Sequence, residues 1–210
     1  MRHSAWILAY HGCDRSIGDQ ILRGDSEVKP SNNEYDWLGK GSYFWENSYS
    51  RALKWAQFLK EHPSYTHKAI KDPFVVGAII DPGNCLDLTE AECLDILKEA
   101  YAQYVDVMRL VAKYSGEPTV LPKNEPGFKG DEDLVKRKLD CAVINWLHKT
   151  REDRKLKSKG LQPFDTVRGA FSEGDSLFEN SKIESRTHIQ WSVLDPARSV
   201  VAYFRPRIRN

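Results

Sequence analysis

The chain has 210 residues, with 31 lysines and arginines against 30 aspartates and glutamates and a net charge of +1, so no global field selects nucleic acid or an anionic membrane as partner. Six tryptophans, nine tyrosines and eight phenylalanines supply apolar surface for a sizeable core and exclude a disordered chain. No stretch approaches the roughly 20 apolar residues of a membrane span, and the apolar run in the opening MRHSAWILAYHG is too short for a signal peptide, so a cytoplasmic protein with no membrane partner is expected. Cys13, Cys85, Cys93 and Cys141 form no CxxC pair and fit no zinc spacing, so reduced thiols and no metal are expected.

The first strand is predicted over Ala5–Tyr10, ending in His11-Gly12. Ile17–Leu22 reads as a short helix closed by Gly24, and a loop rich in Ser, Asn and Pro follows from Asp25 to Asp36. Gly39-Lys40-Gly41 leads into a second strand, Ser42–Trp45. Asn47 or Ser48 then caps a helix to about His62, with Ala52, Trp55, Ala56 and Leu59 on one apolar stripe. Phe74–Ile80 is a strand ended by Asp81-Pro82-Gly83. Thr89 and Glu92 have the spacing of a capping box. The helix they open carries Leu94, Leu97, Tyr101, Tyr104, Val105, Met108 and Val111 on one face and stops near Ser115-Gly116.

A Pro/Gly-rich loop from Glu117 to Gly130 precedes a helix starting near Asp131, with Val135, Leu139, Ala142, Val143 and Trp146 as its stripe. The basic stretch Lys149–Lys159 and the tail Arg205, Arg207 and Arg209 read as a solvated linker and terminus, or alternatively as a phosphate-facing patch. Strands are predicted at Thr166–Phe171, His188–Leu194 and Ser199–Phe204, the first two separated by a long polar loop of the kind that often carries function. Strands without regular βαβ alternation predict an α+β fold, and the glycine-rich loops that cradle phosphates are absent from the sequence.

Three stretches carry the chemistry: Ala9-Tyr10-His11-Gly12 at the end of the first strand, Gly39-Lys40-Gly41-Ser42-Tyr43-Phe44 at the start of the second, and Ile189-Gln190-Trp191-Ser192-Val193-Leu194-Asp195-Pro196-Ala197 near the C-terminus. Together they resemble the (Y/W)HG, GKG-x-YF and E-Y-x-V-Y-D-x-A motifs of the ADP-ribosyltransferase superfamily, in the diphtheria-toxin and poly(ADP-ribose) polymerase branch marked by His, Tyr and Glu. VRGAFSEG, THIQ and AYFRP are similar to blocks in uncharacterised bacterial proteins and toxin-like transferases. The likeness spans both ends of the chain. It implies a single domain over 1–210 with two packed, mainly antiparallel sheets, an NAD⁺ cleft between them, and a helical insertion at about 88–159.

The resemblance assigns roles residue by residue. His11 donates a hydrogen bond to a ribose hydroxyl of NAD⁺, and the backbone of Gly12 reaches the nicotinamide carboxamide. Gly41 and Ser42 lead into the pocket, and Tyr43 offers a face for the nicotinamide ring. Trp55 closes the sandwich from the following helix, one residue beyond the usual spacing. Gln190 stands where the catalytic glutamate is found, and an amide supplies no negative charge to an oxocarbenium-like ribose. Glu173, at the mouth of the long loop, is the candidate replacement carboxylate, ahead of Glu179 and Glu184. His188 is expected to face away from Gln190.

The implied activity is mono-ADP-ribosyl transfer from NAD⁺, as substrate, to a protein or nucleic-acid acceptor. A bacterial toxin of a toxin–antitoxin or antiphage system, with an antitoxin partner, fits the resemblance. An NAD⁺ glycohydrolase and a non-catalytic NAD⁺ or ADP-ribose binding module stand as alternatives.

Overall fold

A computed structural model describes residues 5–63, 69–118, 120–127, 134–153 and 160–207. In chain order the elements are β1 (Ile7–Asp14), α1 (Arg15–Leu22), β2 (Ser42–Glu46), α2 (Tyr49–Glu61), β3 (Pro73–Ile80), β4 (Cys85–Asp87), α3 (Ala91–Ser115), β5 (Asn124–Glu125), β6 (Lys136–Arg137), α4 (Lys138–Glu152), β7 (Thr166–Phe171), β8 (His188–Val193), α5 (Pro196–Ser199) and β9 (Val200–Phe204). The fold is α+β. Seven strands form one sheet in the order β4-β7-β8-β2-β1-β3-β9, and β5 and β6 form a separate two-stranded ladder. Every pairing is antiparallel except β4 with β7.

Where two packed sheets were expected, the two halves are hydrogen-bonded into one, and the seam is narrow. β1 meets β2 only at Ala9↔Glu46 and Tyr10↔Trp45, whereas it meets β3 along its whole length from Ile7↔Ile80 to Asp14↔Pro73. This long pairing carries β1 through His11-Gly12 to Asp14, beyond the predicted end at Tyr10. Asp14 then stops the strand by capping α1, its carboxylate accepting from the Ser16 amide at 3.0 Å. Ser48 caps α2 in the same way, accepting from the Arg51 amide.

The α3 boundary differs from the capping-box expectation. Thr89 donates its hydroxyl to Asp87 Oδ1 at 2.7 Å, and the helix begins after Glu90, which makes no side-chain cap. A nearer acceptor two residues upstream takes the hydroxyl before the helix can. Gly116, at φ 74°, ends α3 in the left-handed region that glycine adopts without a Cβ penalty. The next described helix starts at Lys138, after β6; the start expected near Asp131 falls in residues 128–133, which, like the basic residues 154–159, lie outside the described part.

The sheet buries both faces. On one, Ala9, Phe44, Val76, Ala78, Ile80, Trp191 and Val193 pack with Ile21 of α1 and Val28 of the following loop. On the other, Leu86, Val167 and Phe171 meet Cys93 and Ala100 of α3 and Val143, Ile144 and Leu147 of α4. The predicted insertion therefore packs on itself and on the β4–β7 flank. Its two-stranded ladder is tied to the rest of the chain where Arg137 donates its amide to the Tyr35 carbonyl. An ionic network crosses three strands: Arg168 of β7 reaches Glu46 of β2 at 2.9 Å and Asp87 of β4 at 3.1 Å, and the Trp191 indole donates to Glu46 at 2.7 Å. All four cysteines are buried and unpaired by disulfides. Among the described residues, no helix is long and apolar enough to cross a membrane.

Candidate functional site

The site is built where β1 and β2 part. Continuing their register would bring His11 opposite Phe44 and Gly12 opposite Tyr43, but the pairing stops at Tyr10↔Trp45. The His11 ring occupies the split instead. Its Nδ1 lies 2.8 Å from the Tyr43 carbonyl oxygen, and since a carbonyl only accepts, Nδ1 carries the proton. Burial lowers the His11 pKa more than this bond raises it. The neutral ring therefore presents a bare Nε2, an acceptor. This reverses the expected polarity: a ribose hydroxyl would donate to His11, not accept from it.

Beyond the split, His11–Asp14 face no strand on the β2 side among the described residues, and alternate residues there turn their amide and carbonyl groups away from β3. A cavity of about 470 Å³ adjoins this open edge. His11, Gly12 and Cys13 line it from β1, Ser16 and Ile17 from α1, and Trp55 and Leu59 from α2. Its size is that of a small-ligand pocket. Cys13 is no nucleophile there, because burial, its leading perturbation, pushes the thiol up to about 12.

Gly12 is needed for packing as well as access. A Cβ at this position would meet the backbone carbonyl of Ala52, so α2 crosses β1 at the glycine. That crossing brings Trp55 to the cavity. Trp55 is 41% exposed, unlike its stripe neighbours Ala52, Ala56 and Leu59, which are buried. Its ring lies 5.5 Å from Phe58 in a near-parallel stack and 6.1 Å from Trp45.

The second motif sits deeper. Tyr43 packs against the α3/α4-side core, and its hydroxyl accepts from the Leu38 amide at 2.8 Å and donates to the Gly39 carbonyl at 2.6 Å. The ring thereby fixes the loop entering β2, and Tyr43 is tied to the cavity wall through its carbonyl's bond to His11 rather than lining the cavity itself. Ser42 is fully buried and donates to the Val28 carbonyl at 2.6 Å, and a Cβ on Gly41 would meet the Ser192 hydroxyl. Gly41 and Ser42 thus seat β2 in the sheet, their side-chain positions turned to protein rather than to the cavity.

Gln190 pairs with Trp45 on β2 and Gly169 on β7. Cross-strand partners share a face, and so do residues two apart on a strand, so His188 and Gln190 project to the same side; the expectation that His188 faces away is corrected. Glu173 belongs to the same face. The Arg186 amide donates to its carbonyl, extending the β7–β8 pairing that begins at Phe171↔His188. The structure thus brings Glu173, His188 and Gln190 onto one hairpin face.

Sequence reasoning missed the residue that organises them. Arg51, in the first turn of α2, places Nη2 at 3.1 Å from Glu173 Oε1, 3.0 Å from His188 Nδ1 and 2.6 Å from the Arg186 carbonyl. Its contact with Glu173 is well buried, with side-chain exposures of 19% and 14%. His188 has its pKa pushed down to about 4, first by burial, with a bond to the Arg186 carbonyl opposing and the charges of Arg51, Arg137 and Arg186 adding to the depression. Arg137, from the insertion, stacks on Trp37 at 4.3 Å and Phe171 at 5.0 Å beside the same histidine. Arg51 and Trp55 are four residues apart, on one side of α2, so a single helix face touches both the Glu173 cluster and the cavity. Glu179 and Glu184 lie farther along the loop, where Glu184 takes part in a bridge with Ser176. Among the described residues, no group of three or more His, Cys, Asp or Glu side chains is arranged to hold a metal ion.

No family description matches the chain, and no solved structure matches it. It is 31% identical over 191 residues to the uncharacterized protein MJ0359 of Methanocaldococcus jannaschii, an alignment covering 87% of this chain and 76% of that protein. At that identity and coverage, the chain belongs to the same family as this archaeal protein.

Proposed function

We propose that the chain is an NAD⁺-dependent mono-ADP-ribosyltransferase acting on a macromolecular acceptor, with NAD⁺ bound at the open edge of β1. The observation that carries this reading is the strand split itself. At His11-Gly12 a sheet strand leaves one edge unpaired among the described residues, beside a ligand-sized cavity, and a histidine of fixed tautomer and an exposed tryptophan stand at its walls. The three motifs that resemble ADP-ribosyltransferases meet around β2: β1 carries the first, β2 the second and β8 the third.

In this reading the peptide groups of Gly12 hold the nicotinamide carboxamide, Trp55 covers the ring, and His11 Nε2 accepts from a ribose hydroxyl. The bond between the ribose anomeric carbon and the nicotinamide nitrogen breaks, its electron pair leaves with nicotinamide, and the acceptor's lone pair forms the new bond to that carbon. Positive charge develops on the ribose between these events. Gln190 positions the ribose through its amide, and Glu173, paired with Arg51, supplies the negative field or takes the acceptor's proton.

The test is to follow adenine-labelled NAD⁺ in lysate treated separately with nuclease and protease. Macromolecular label that one treatment removes identifies transfer and the acceptor class. Label found only as free ADP-ribose indicates a glycohydrolase. Binding with no turnover indicates a non-catalytic module.

A further inference from the structure

Helix α3 runs for 25 residues, about 37 Å, and buries only Cys93 and Ala100. Its partner α4 has 15 residues and covers only part of it. Leu94 stays 48% exposed and Tyr101 42% exposed. Between α3 and α4 lies an open, largely apolar cavity of about 310 Å³ lined by Leu94, Leu97, Tyr101, Leu139 and Val143. Apolar surface grouped in this way marks an interface.

The charge pattern of α3 says what covers it. Asp95, Lys98, Ala102, Asp106 and Arg109 follow one another at spacings of 3, 4, 4 and 3, one continuous line along the helix, and every one of them is exposed. Leu94, Tyr101, Val105 and Met108 run directly alongside. The charged line is self-complementary under a two-fold axis through Ala102, which exchanges Asp95 with Arg109 and Lys98 with Asp106. The small side chain of Ala102 sits at the centre, where two helices crossing at that axis come closest. Within one chain, Arg109 meets Asp106 at 3.2 Å with both side chains about 70% exposed, a weak contact readily exchanged for an intermolecular one.

We propose that two copies of this chain associate through their α3 helices, packed antiparallel about Ala102, with Asp95 of each copy facing Arg109 of the other and the Leu94–Tyr101 stripe buried alongside. The surface is far from the β1–β2 split in the sheet order, because α3 and α4 pack on β4 and β7 at the other flank. The inference is therefore independent of the NAD⁺ reading.

Sedimentation velocity of the full chain over a concentration series at low salt tests it. The wild type is expected to shift from monomer to dimer. Asp95→Lys and Arg109→Asp, each of which places like charges opposite one another twice per dimer, should weaken association roughly tenfold or more. The double variant Asp95→Lys/Arg109→Asp restores opposite signs and should recover most of the wild-type affinity. Circular dichroism confirms that each exposed variant is folded. A wild type that stays monomeric throughout overturns the proposal. So does a dimer that ignores both single reversals, or a double variant that associates no better than they do.

Discussion

The His11 ring donates from Nδ1 to the carbonyl oxygen of Tyr43 at 2.8 Å, at the point where β1 and β2 cease to pair. A side chain thus closes the backbone acceptor that the split exposes, and the same bond leaves Nε2 as the ring's acceptor nitrogen. His11→Ala leaves the Tyr43 carbonyl without that donor and removes the Nε2 acceptor. It should weaken NAD⁺ binding by about 1 kcal/mol or more and lower stability by a similar amount. Calorimetric titration and thermal unfolding of the same variant separate the two effects.

Trp55 and Tyr43 should respond oppositely. Trp55→Ala removes a half-exposed ring at the cavity wall, so NAD⁺ affinity should fall by about 1 kcal/mol with little change in unfolding free energy. Tyr43→Phe leaves the Leu38 amide and Gly39 carbonyl without their shared partner, and should destabilise the fold by about 1–3 kcal/mol. Equal effects of the two substitutions on binding and stability would contradict this division.

Part of this arrangement is legible in the sequence, and what is not has physical causes. His11, Gly12 and Trp55, which the motif resemblance singles out, line one cavity in the structure. The strand end itself was misplaced because pairing with β3, a long-range event, carries β1 through a glycine. Arg51 was missed because one arginine in a helix reads as solvated surface; only the fold brings it to Glu173, 122 positions away. The Glu46–Arg168–Asp87 network is hidden for the same reason, since its members lie on three separate strands. The orientation of His188 was readable, and the two-residue strand period gives it correctly.

Glu173→Gln should cut transfer about a hundredfold while NAD⁺ binding stays nearly intact, the scale for removing one electrostatic stabiliser of a transition state. Arg51→Gln should produce a similar loss of turnover by leaving Glu173 without its guanidinium, and Arg51→Lys should recover part of it. Full activity in Glu173→Gln would assign the charge to another group.

Stability should fall on acidification through histidine. His148 and His188 are held near pKa 4 from an ordinary value of 6.5, with burial the first cause in each, and His11 is lowered as well. A lowered folded pKa means that the unfolded chain binds more protons below pH 6.5. The stabilisation is therefore complete above 6.5 and lost as the pH falls toward 4, at about 1.4 kcal/mol per pH unit for each of His148 and His188, with His11 adding in the same direction. Both ring nitrogens of His148 are buried without a hydrogen-bond partner among the described residues. His148→Leu should accordingly raise stability at pH 7 by about 1 kcal/mol and flatten the acid limb of the unfolding midpoint against pH.

Gly12→Ala drives a methyl group onto the Ala52 carbonyl, a backbone atom that moves only with α2. The variant should lose about 1–3 kcal/mol of stability and, by displacing Trp55 from the cavity wall, most of its NAD⁺ affinity.

The most direct measurement is calorimetric titration of NAD⁺ into the wild type, His11→Ala and Trp55→Ala, each shown by circular dichroism to be folded. If the open edge of β1 is the NAD⁺ site, the wild type binds at a single site and both variants lose about fivefold or more in affinity, the equivalent of about 1 kcal/mol each. No binding heat from the wild type over a range of temperatures, or affinities unchanged in both variants, would contradict it.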